Sequence, residues 1–454
     1  MPTEGNRSQM TVRREQAVLV SVELPHRPWS DDDPLAEIRG LAESAGAKIV
    51  GGLTQRRQQV EASTYIGKGK LEELKLLVAS VDADVVIFDN DLTPTQTRNL
   101  EKATGVKVLD RSELIMDIFA TRARTVAARL QVELAQLEYS LPRLKNMWTH
   151  LSRYKGGIGL RGPGETQLEE DRRLVDLRIR DLRAKLRTVQ ARKEREVRTR
   201  AAEQTVSLVG YTNAGKSTLM NALTGAGVLA ADQLFATLDT RTRLWRVKDW
   251  GRILLSDTVG FIRDLPHQLV ASFKATLEEA RQARLLLHVV DASSPNLTEQ
   301  IKAVNGVLAE IGCGDKPTLL VLNKIDRAAD LLDAQVRAAE AGGRGRAELV
   351  CISAKTGRGL DELTAAVTRA LEDQFVEVEV EAGVGDGRLL AYLDEQAGVL
   401  ERTYLANDRV RLRCHLPRAL IRKIDGAEVK VTVVNGSPDT TGDGQPGEVA
   451  PLAR

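Results

Sequence analysis

The sequence predicts a multidomain α/β protein with a long helical hairpin set between its α/β parts. Three observations carry that prediction. Short apolar runs alternate with amphipathic stretches of similar length over residues 16–112 and again over 204–373, the pattern of largely parallel sheets with crossover helices. Two heptad seams lie between these regions, separated by one glycine-rich loop. A chain of 454 residues also exceeds one ordinary core, and at ~100–200 residues per domain it calls for two to four domains.

The elements follow in order. Residues 1–15 are polar, without the apolar core of a signal peptide, and are expected to be disordered. In 16–112, strands are expected at 17–24, 47–51, 84–88 and 106–109, with helices at 34–45, 70–79 and 93–104. Asp110 reads as a helix start with no chemistry of its own. In 113–203, the apolar positions Leu130, Leu134, Leu137, Leu141, Leu144, Trp148 and Leu151 alternate by four and three, and Pro142 should kink or split that helix. A second seam runs through Leu168, Val175, Ile179, Leu182, Leu186 and Val189. The loop between them, Lys155 to Gly164, holds five Gly and one Pro. An antiparallel hairpin paired within one chain is expected, hence a monomer. Arms of ~25 residues at ~1.5 Å each would carry the loop roughly 40 Å from its base. A P-loop domain occupies 204–373. A small α/β domain follows at 374–434, with a strand from Phe375, a helix at 388–396 and a strand at 410–415. The Gly/Pro/Asp/Thr-rich residues 435–454 read as a disordered tail.

Composition limits the function. Hydrophobic residues at 42% and charged residues at 28% fit a soluble globular protein, and no apolar run approaches the ~20 residues of a membrane helix. Cys313, Cys351 and Cys414 are far apart and unpaired in sequence, which excludes a disulfide framework and points to a reducing, cytoplasmic location. The net charge is only +2, yet residues 121–203 hold 20 Lys/Arg against 11 Asp/Glu, a local +9 that leaves −7 for the rest. His150, His267, His288 and His415 show no metal-ligand spacing.

The densest chemistry lies in 204–373. The apolar run 205–209 is followed by Gly210, Tyr211, Thr212, Asn213, Ala214, Gly215, Lys216 and Ser217, the G-x-x-x-x-G-K-[ST] pattern, and Thr218 opens a helix. Such a loop wraps phosphates in backbone N–H groups, with Lys216 on the outer phosphates and Ser217 on Mg²⁺. Asp257, Thr258, Val259 and Gly260 follow a second strand: Asp257 is placed to hold Mg²⁺, and the Gly260 N–H to sense the γ-phosphate. Asn323, Lys324, Ile325 and Asp326 follow a third, and the Asp326 carboxylate can accept two guanine hydrogens that adenine lacks. Ser353, Ala354 and Lys355 follow a fourth, with the Ala354 backbone in reach of the guanine oxygen. Four such segments in this order specify a site for GTP and GDP.

Between the first two lie Phe235, Ala236, Thr237, Leu238 and Asp239. A threonine in this loop closes over Mg²⁺ and the γ-phosphate when GTP is bound; Thr237 is the choice and Thr240 the rival. Lys216, Thr237, Gly260 and Asn213 are therefore the candidate catalytic residues. Phe261 stands where small signalling GTPases carry a water-orienting Gln, so intrinsic hydrolysis should be slow until a partner or cation completes the site. Asn213 is similar to the Asn with which translation-related GTPases recruit K⁺ beside the phosphates; capping of the loop is the other reading.

Taken together, these strings resemble the HflX family of translation-associated GTPases. The resemblance rests on Tyr65-Ile-Gly-Lys-Gly-Lys70, Gly157-Ile-Gly-Leu-Arg-Gly-Pro-Gly-Glu-Thr-Gln167, Phe235-Ala-Thr-Leu-Asp239, Asp257-Thr-Val-Gly-Phe-Ile-Arg-Asp-Leu-Pro266 and Phe273-Lys-Ala-Thr-Leu-Glu-Glu279. It implies a GTPase that binds the large ribosomal subunit and its rRNA, separates stalled or stress-inactivated ribosomes, and reaches toward the peptidyl-transferase centre with the hairpin loop. A basic arm with a slim tip suits a phosphate-lined RNA cavity. Lys155 and Arg161 are the tip cations, and Lys68 and Lys70 stand before a helix as further candidate RNA contacts. The same features also admit a protein-docking switch using the hairpin as a coiled coil, or an RNA-remodelling NTPase with a second nucleotide site on the N-terminal domain.

Overall fold

The apolar runs become three separate sheets in the computed structural model, which describes residues 15–25, 33–147, 163–199, 204–225, 235, 240–248, 251–266, 269, 278–342, 348–371, 375–406, 408–417, 424 and 429–435. The chain divides into two compact units. The first comprises 1–201, 205–245 and 254–367, and the second 202–204, 246–253 and 368–454.

The first unit opens with β1 (Gln16–Glu23), β2 (Lys48–Arg56), β3 (Val85–Phe88) and β4 (Lys107–Leu109). Their order is β2-β1-β3-β4, with every pair parallel. A parallel sheet is covered on both faces, so its inner strands are apolar throughout. Alternate residues serve different cores. Ala17, Leu19, Val85 and Ile87 share a cluster with Ile38 and Leu41 of α1 (Ala36–Ser44) and Leu114 and Ile115 of α4 (Arg111–Arg122). Val18, Val20, Val86 and Phe88 share another with Leu74 and Val78 of α2 (Lys68–Ser80) and Leu100 of α3 (Pro94–Thr104). Thr93 with Gln96, and Asp110 with Glu113, form capping boxes that start α3 and α4.

Helix α5 (Val126–Met147) packs against α6 (Pro163–Thr199) along the expected seam. Leu134, Ile179, Leu182 and Leu186 are buried there, with Leu130, Leu137, Leu141 and Val175 against them. Of the two expected outcomes at Pro142, a kink or a split, the split does not occur, and α5 runs through it as one helix. A proline forfeits one helical hydrogen bond, but its turn is anchored by Leu137 and Leu141 in the seam and by Arg143. The Arg143 guanidinium donates to the carbonyls of Tyr139 (3.2 Å) and Leu92 (2.9 Å) and to Asp110 Oδ2 (2.7 Å). The Tyr139 hydroxyl donates to the same Asp110 oxygen. Asp110, read as a plain cap, is thus a fully buried clamp on the Tyr139–Arg143 turn of α5. Lys155 and Arg161 at the tip lie outside the described residues.

The third region of this chain forms β5 (Gln204–Gly210), β6 (Arg241–Val247), β7 (Gly251–Asp257), β8 (Leu285–Asp291), β9 (Thr318–Asn323) and β10 (Leu349–Cys351), in the order β10-β9-β8-β5-β7-β6. β10, β9, β8 and β5 are mutually parallel. The four nucleotide segments follow β5, β7, β9 and β10, at the carboxyl ends where open α/β sheets bind ligands. Helices α7 (Lys216–Thr224) and α8 (Leu297–Glu310) follow the first strand and β8.

In the second unit, β11 (Phe375–Gly383), β12 (Gly398–Leu405), β13 (Arg409–Pro417) and β14 (Lys430–Asn435) form an antiparallel sheet of order β12-β13-β11-β14. The VEVEVE run explains its two faces. Val376, Val378 and Val380 enter a core with Leu393, while Glu377 and Glu381 pair with Arg413 and Arg411 across the strands. The sequence pattern showed β11 and β13 but not β12 and β14. Among the described residues no helix is long and apolar enough to cross a membrane.

Candidate functional site

The loop between β5 and α7 is shaped by close approaches. Gly210 has φ +149, and a Cβ there would lie 2.2 Å from the Val289 carbonyl oxygen; at Gly215 (φ +93) it would meet Asn323 Nδ2 at 2.3 Å. Only glycine fits either position. Asn213 at φ 61 lifts its exposed side chain off the loop. Lys216 is 6% exposed, and its ammonium donates to the carbonyls of Gly210 (3.0 Å) and Tyr211 (2.9 Å). Burial lowers its pKa to about 8, against the pull of Asp257. Phosphate would favour the charged form, so nucleotide binding takes up a proton above that pH. GDP affinity should therefore fall as pH rises past 8, by up to about tenfold per unit; titration calorimetry at pH 7, 8 and 9 checks this, and a flat profile would contradict it.

The cation donors meet beside that lysine. Ser217 Oγ donates to Asp257 Oδ2 at 2.6 Å, and Asp257 is fully buried. A hydroxyl and a carboxylate at a phosphate loop form the hard oxygen set that suits Mg²⁺. Thr258 turns away from them, its hydroxyl donating to the Leu208 carbonyl (2.7 Å), which fixes the strand end. A Cβ on Gly260 would sit 2.8 Å from Thr212 Cα and 3.1 Å from Lys216 Nζ, so this residue lies directly against the phosphate loop. The Phe261 N–H donates to the Gly210 carbonyl (3.1 Å), and the Thr212 N–H to the Phe261 carbonyl (2.6 Å). The Phe261 ring, 2% exposed, belongs to the apolar core. It offers water no hydrogen bond.

The base-recognition segments are tied to this loop by Asn323. Its Nδ2 donates to the Ala214 carbonyl (2.9 Å), and its Oδ1 accepts from the Ala354 N–H (2.9 Å). Lys324 (φ 63) pairs with Asp291 at 2.7 Å. Asp326 is exposed, its Oδ1 accepting from Ser353 Oγ at 2.6 Å, a bond that lowers its pKa. The carboxylate is thus ionised, oriented and open to a base. Ile325 closes the turn through its N–H to the Ile352 carbonyl (3.2 Å), and Lys355 is exposed at its edge.

The structure therefore gathers 210–218, 257–260, 323–326 and 353–355 at one place. Of the intervening loop only Phe235 is described; Ala236, Thr237, Leu238 and Asp239 lie outside the described residues, while the rival Thr240 is half-buried. The Phe235 N–H donates to Thr212 Oγ1 (2.8 Å), which brings the start of that loop to the site. Lys68 is exposed at the start of α2, but Lys70 is paired with Glu73 (2.8 Å) and the Gly67 N–H donates to Gln55 Oε1 (3.1 Å). Glu37, Arg111 and the hydroxyl of Tyr211 were invisible as site residues. Their contacts join positions 74 to 174 residues apart, and no local pattern records them. His288 is buried behind Lys216, and burial lowers its pKa to about 3, leaving it neutral.

Comparison with known proteins accords with this geometry. Residues 32–120 match the GTP-binding GTPase N-terminal family, 122–200 the GTP-binding GTPase middle region, and 205–324 the 50S ribosome-binding GTPase family. The chain is 47% identical over 406 residues to the GTPase HflX of Escherichia coli, covering 89% of this chain and 94% of that protein. It is 46% identical over 396 residues to the GTPase HflX of Caldanaerobacter subterraneus, covering 86% and 89%. A phosphate loop, a buried carboxylate beside its serine and an exposed carboxylate oriented by Ser353, in a chain this similar over most of its length, place the protein in the HflX family of GTP-hydrolysing enzymes.

Proposed function

We propose that this chain is a GTP-driven factor that binds the large ribosomal subunit and separates stalled or stress-inactivated ribosomes into subunits. The convergence of the four guanine-nucleotide segments on one loop supports the switch, and the match of 205–324 to a 50S ribosome-binding family supports the partner. Lys216 neutralises the outer phosphates. Ser217 and Asp257 would hold Mg²⁺, with Thr237 as a further ligand when GTP is bound. Mg²⁺ bound there would screen the charge of the phosphates. The Gly260 N–H reads the γ-phosphate. Water attacks the γ-phosphorus, and the bond to the β-phosphate oxygen breaks.

Phe261 orients no water, so this chemistry is slow in the free protein. The docked subunit completes the site, with K⁺ held by Asn213 as a second contributor. The +9 arm follows rRNA phosphates, with Lys155, Arg161 and Lys68 as contacts and Lys70 in reach once it leaves Glu73. The factor acts as a monomer in the cytoplasm.

Hydrolysis measured with and without purified large subunits, in K⁺ and in Na⁺, tests the reading. A slow basal rate raised by about 10-fold or more on subunit addition is expected, as for a partner that completes a catalytic site. Shortening 156–164 should leave GTP affinity intact and abolish subunit separation. Subunit-independent hydrolysis in both salts would favour the protein-docking alternative instead.

A further inference from the structure

The segment after Gly260 is fastened from outside the nucleotide domain. Arg263 is held at three points. Its N–H donates to the Tyr211 hydroxyl (2.9 Å), its carbonyl accepts from Arg111 Nη2 (3.0 Å), and its guanidinium pairs with Glu37 (3.0 Å) and reaches Asp89 (3.5 Å). Arg111, 1% exposed, is neutralised by Asp89 (2.6 Å) and Glu37 (2.8 Å). The Tyr211 hydroxyl in turn donates to Glu37 (2.6 Å). Burial opposes ionisation of Glu37, but Arg111 and Arg263 outweigh it and hold the carboxyl below its ordinary range. Two arginines and two carboxylates thus form one balanced, ionised cluster.

Its members come from different places. Glu37, Asp89 and Arg111 belong to the first sheet and its helices α1 and α4. Tyr211 is the second residue of the phosphate loop, and Arg263 follows the γ-phosphate sensor by three residues. A separate contact reaches the remaining nucleotide-responsive loop: Phe119 of α4 packs on Phe235, ring centroids 4.6 Å apart at 49°. The phosphate loop, the segment after Gly260 and the start of the Phe235 loop therefore all rest on α1 and α4. A cavity of about 610 Å³ lies beside the cluster, lined by Glu37, Tyr211, Asn213 and Arg263 among others, and leaves space for Arg263 to move.

We propose that the Glu37–Asp89–Arg111–Arg263 cluster, tied to the phosphate loop by the Tyr211 hydroxyl, is a latch through which the N-terminal sheet domain reads the nucleotide. The proposal rests on the GTP-site reading above. A γ-phosphate that draws the Gly260 N–H toward it pulls on Arg263 and changes the seat of α1 and α4; GDP leaves the latch closed. Glu37, Arg111 and Arg263 are positioning residues, acting through the backbone of the sensor segment and touching no substrate. Coupling of this kind is reciprocal, so the seat of α1 and α4 sets the preference for GTP over GDP by the same factor.

The test uses the full chain as wild type, as Glu37→Gln, and as the double variant Glu37→Gln/Arg263→Gln. The double variant keeps the Asp89–Arg111 pair balanced and protects folding. Affinities for GDP and a non-hydrolysable GTP analogue are measured beside amide exchange in 36–44 and 111–122. In the wild type, exchange in both helices should differ between the two nucleotides. In both variants that difference should vanish, and the analogue-to-GDP affinity ratio should shift by about fivefold with GDP affinity nearly unchanged. Persistence of the difference in the variants, its absence in the wild type, or a parallel loss of both affinities would overturn the latch. A wild type that binds neither nucleotide would overturn the GTP-site reading itself, and the latch with it.

Discussion

Replacing Lys216 by Ala should abolish tight GTP and GDP binding while leaving the free protein folded. Burial disfavours the Lys216 ammonium, lowering its pKa to about 8, so its removal costs the nucleotide-free protein little. With nucleotide the balance reverses. Charge-assisted bonds to two phosphates are worth about 1.5–3 kcal/mol each, so about 3–6 kcal/mol of binding energy is lost, or roughly a hundred- to ten-thousandfold in affinity. A ligand that binds only the native state raises its melting temperature. The wild type should therefore show a GDP-dependent thermal shift and Lys216→Ala none, with nearly equal melting temperatures without nucleotide. Ser217→Ala should lose the Mg²⁺-dependent part of the shift. Full affinity in either variant would remove the loop from the mechanism.

The second large effect concerns the base. Asp326 is ionised, exposed and aimed by Ser353. Asp326→Ala removes two acceptor contacts to guanine, again about 3–6 kcal/mol, and supplies nothing that adenine prefers. GTP affinity should collapse with no gain for ATP. Asp326→Asn is more diagnostic. An amide offers one acceptor and one donor, which matches a base whose C2 carries a carbonyl instead of an amino group. That variant should bind xanthosine triphosphate better than GTP, measured by competition against a fluorescent nucleotide. Undiminished GTP preference in Asp326→Asn would show that the base is read elsewhere.

What the sequence disclosed, and what it concealed, follows from the range of the interactions. The phosphate loop, the strand ends at Asp257 and Asn323, and the heptad seam through Leu134, Ile179 and Leu182 are local or periodic patterns, so they were legible. The alternation in β11 likewise announced a two-faced strand. For Pro142 the rule is local, a kink or a split, whereas the Arg143 contacts that hold its turn are tertiary. Asp110 shows the same limit: its capping role was readable, its burial under Tyr139 and Arg143 was not. Tyr211 occupies a position that the loop motif leaves free, since its ring and hydroxyl serve Glu37 and Arg263 and not the phosphates. Strand β12 was not legible because the adjacent Val399-Leu400 and Glu401-Arg402 break the alternation, and its pairing shifts register between Val399 and Glu401.

One adjacency has a mechanical meaning. Asp110 clamps the Tyr139–Arg143 turn of α5, and Arg111, the next residue, grips the backbone of Arg263. A single peptide unit therefore anchors both the arm and the segment after Gly260, so neither can shift without straining the seat of the other.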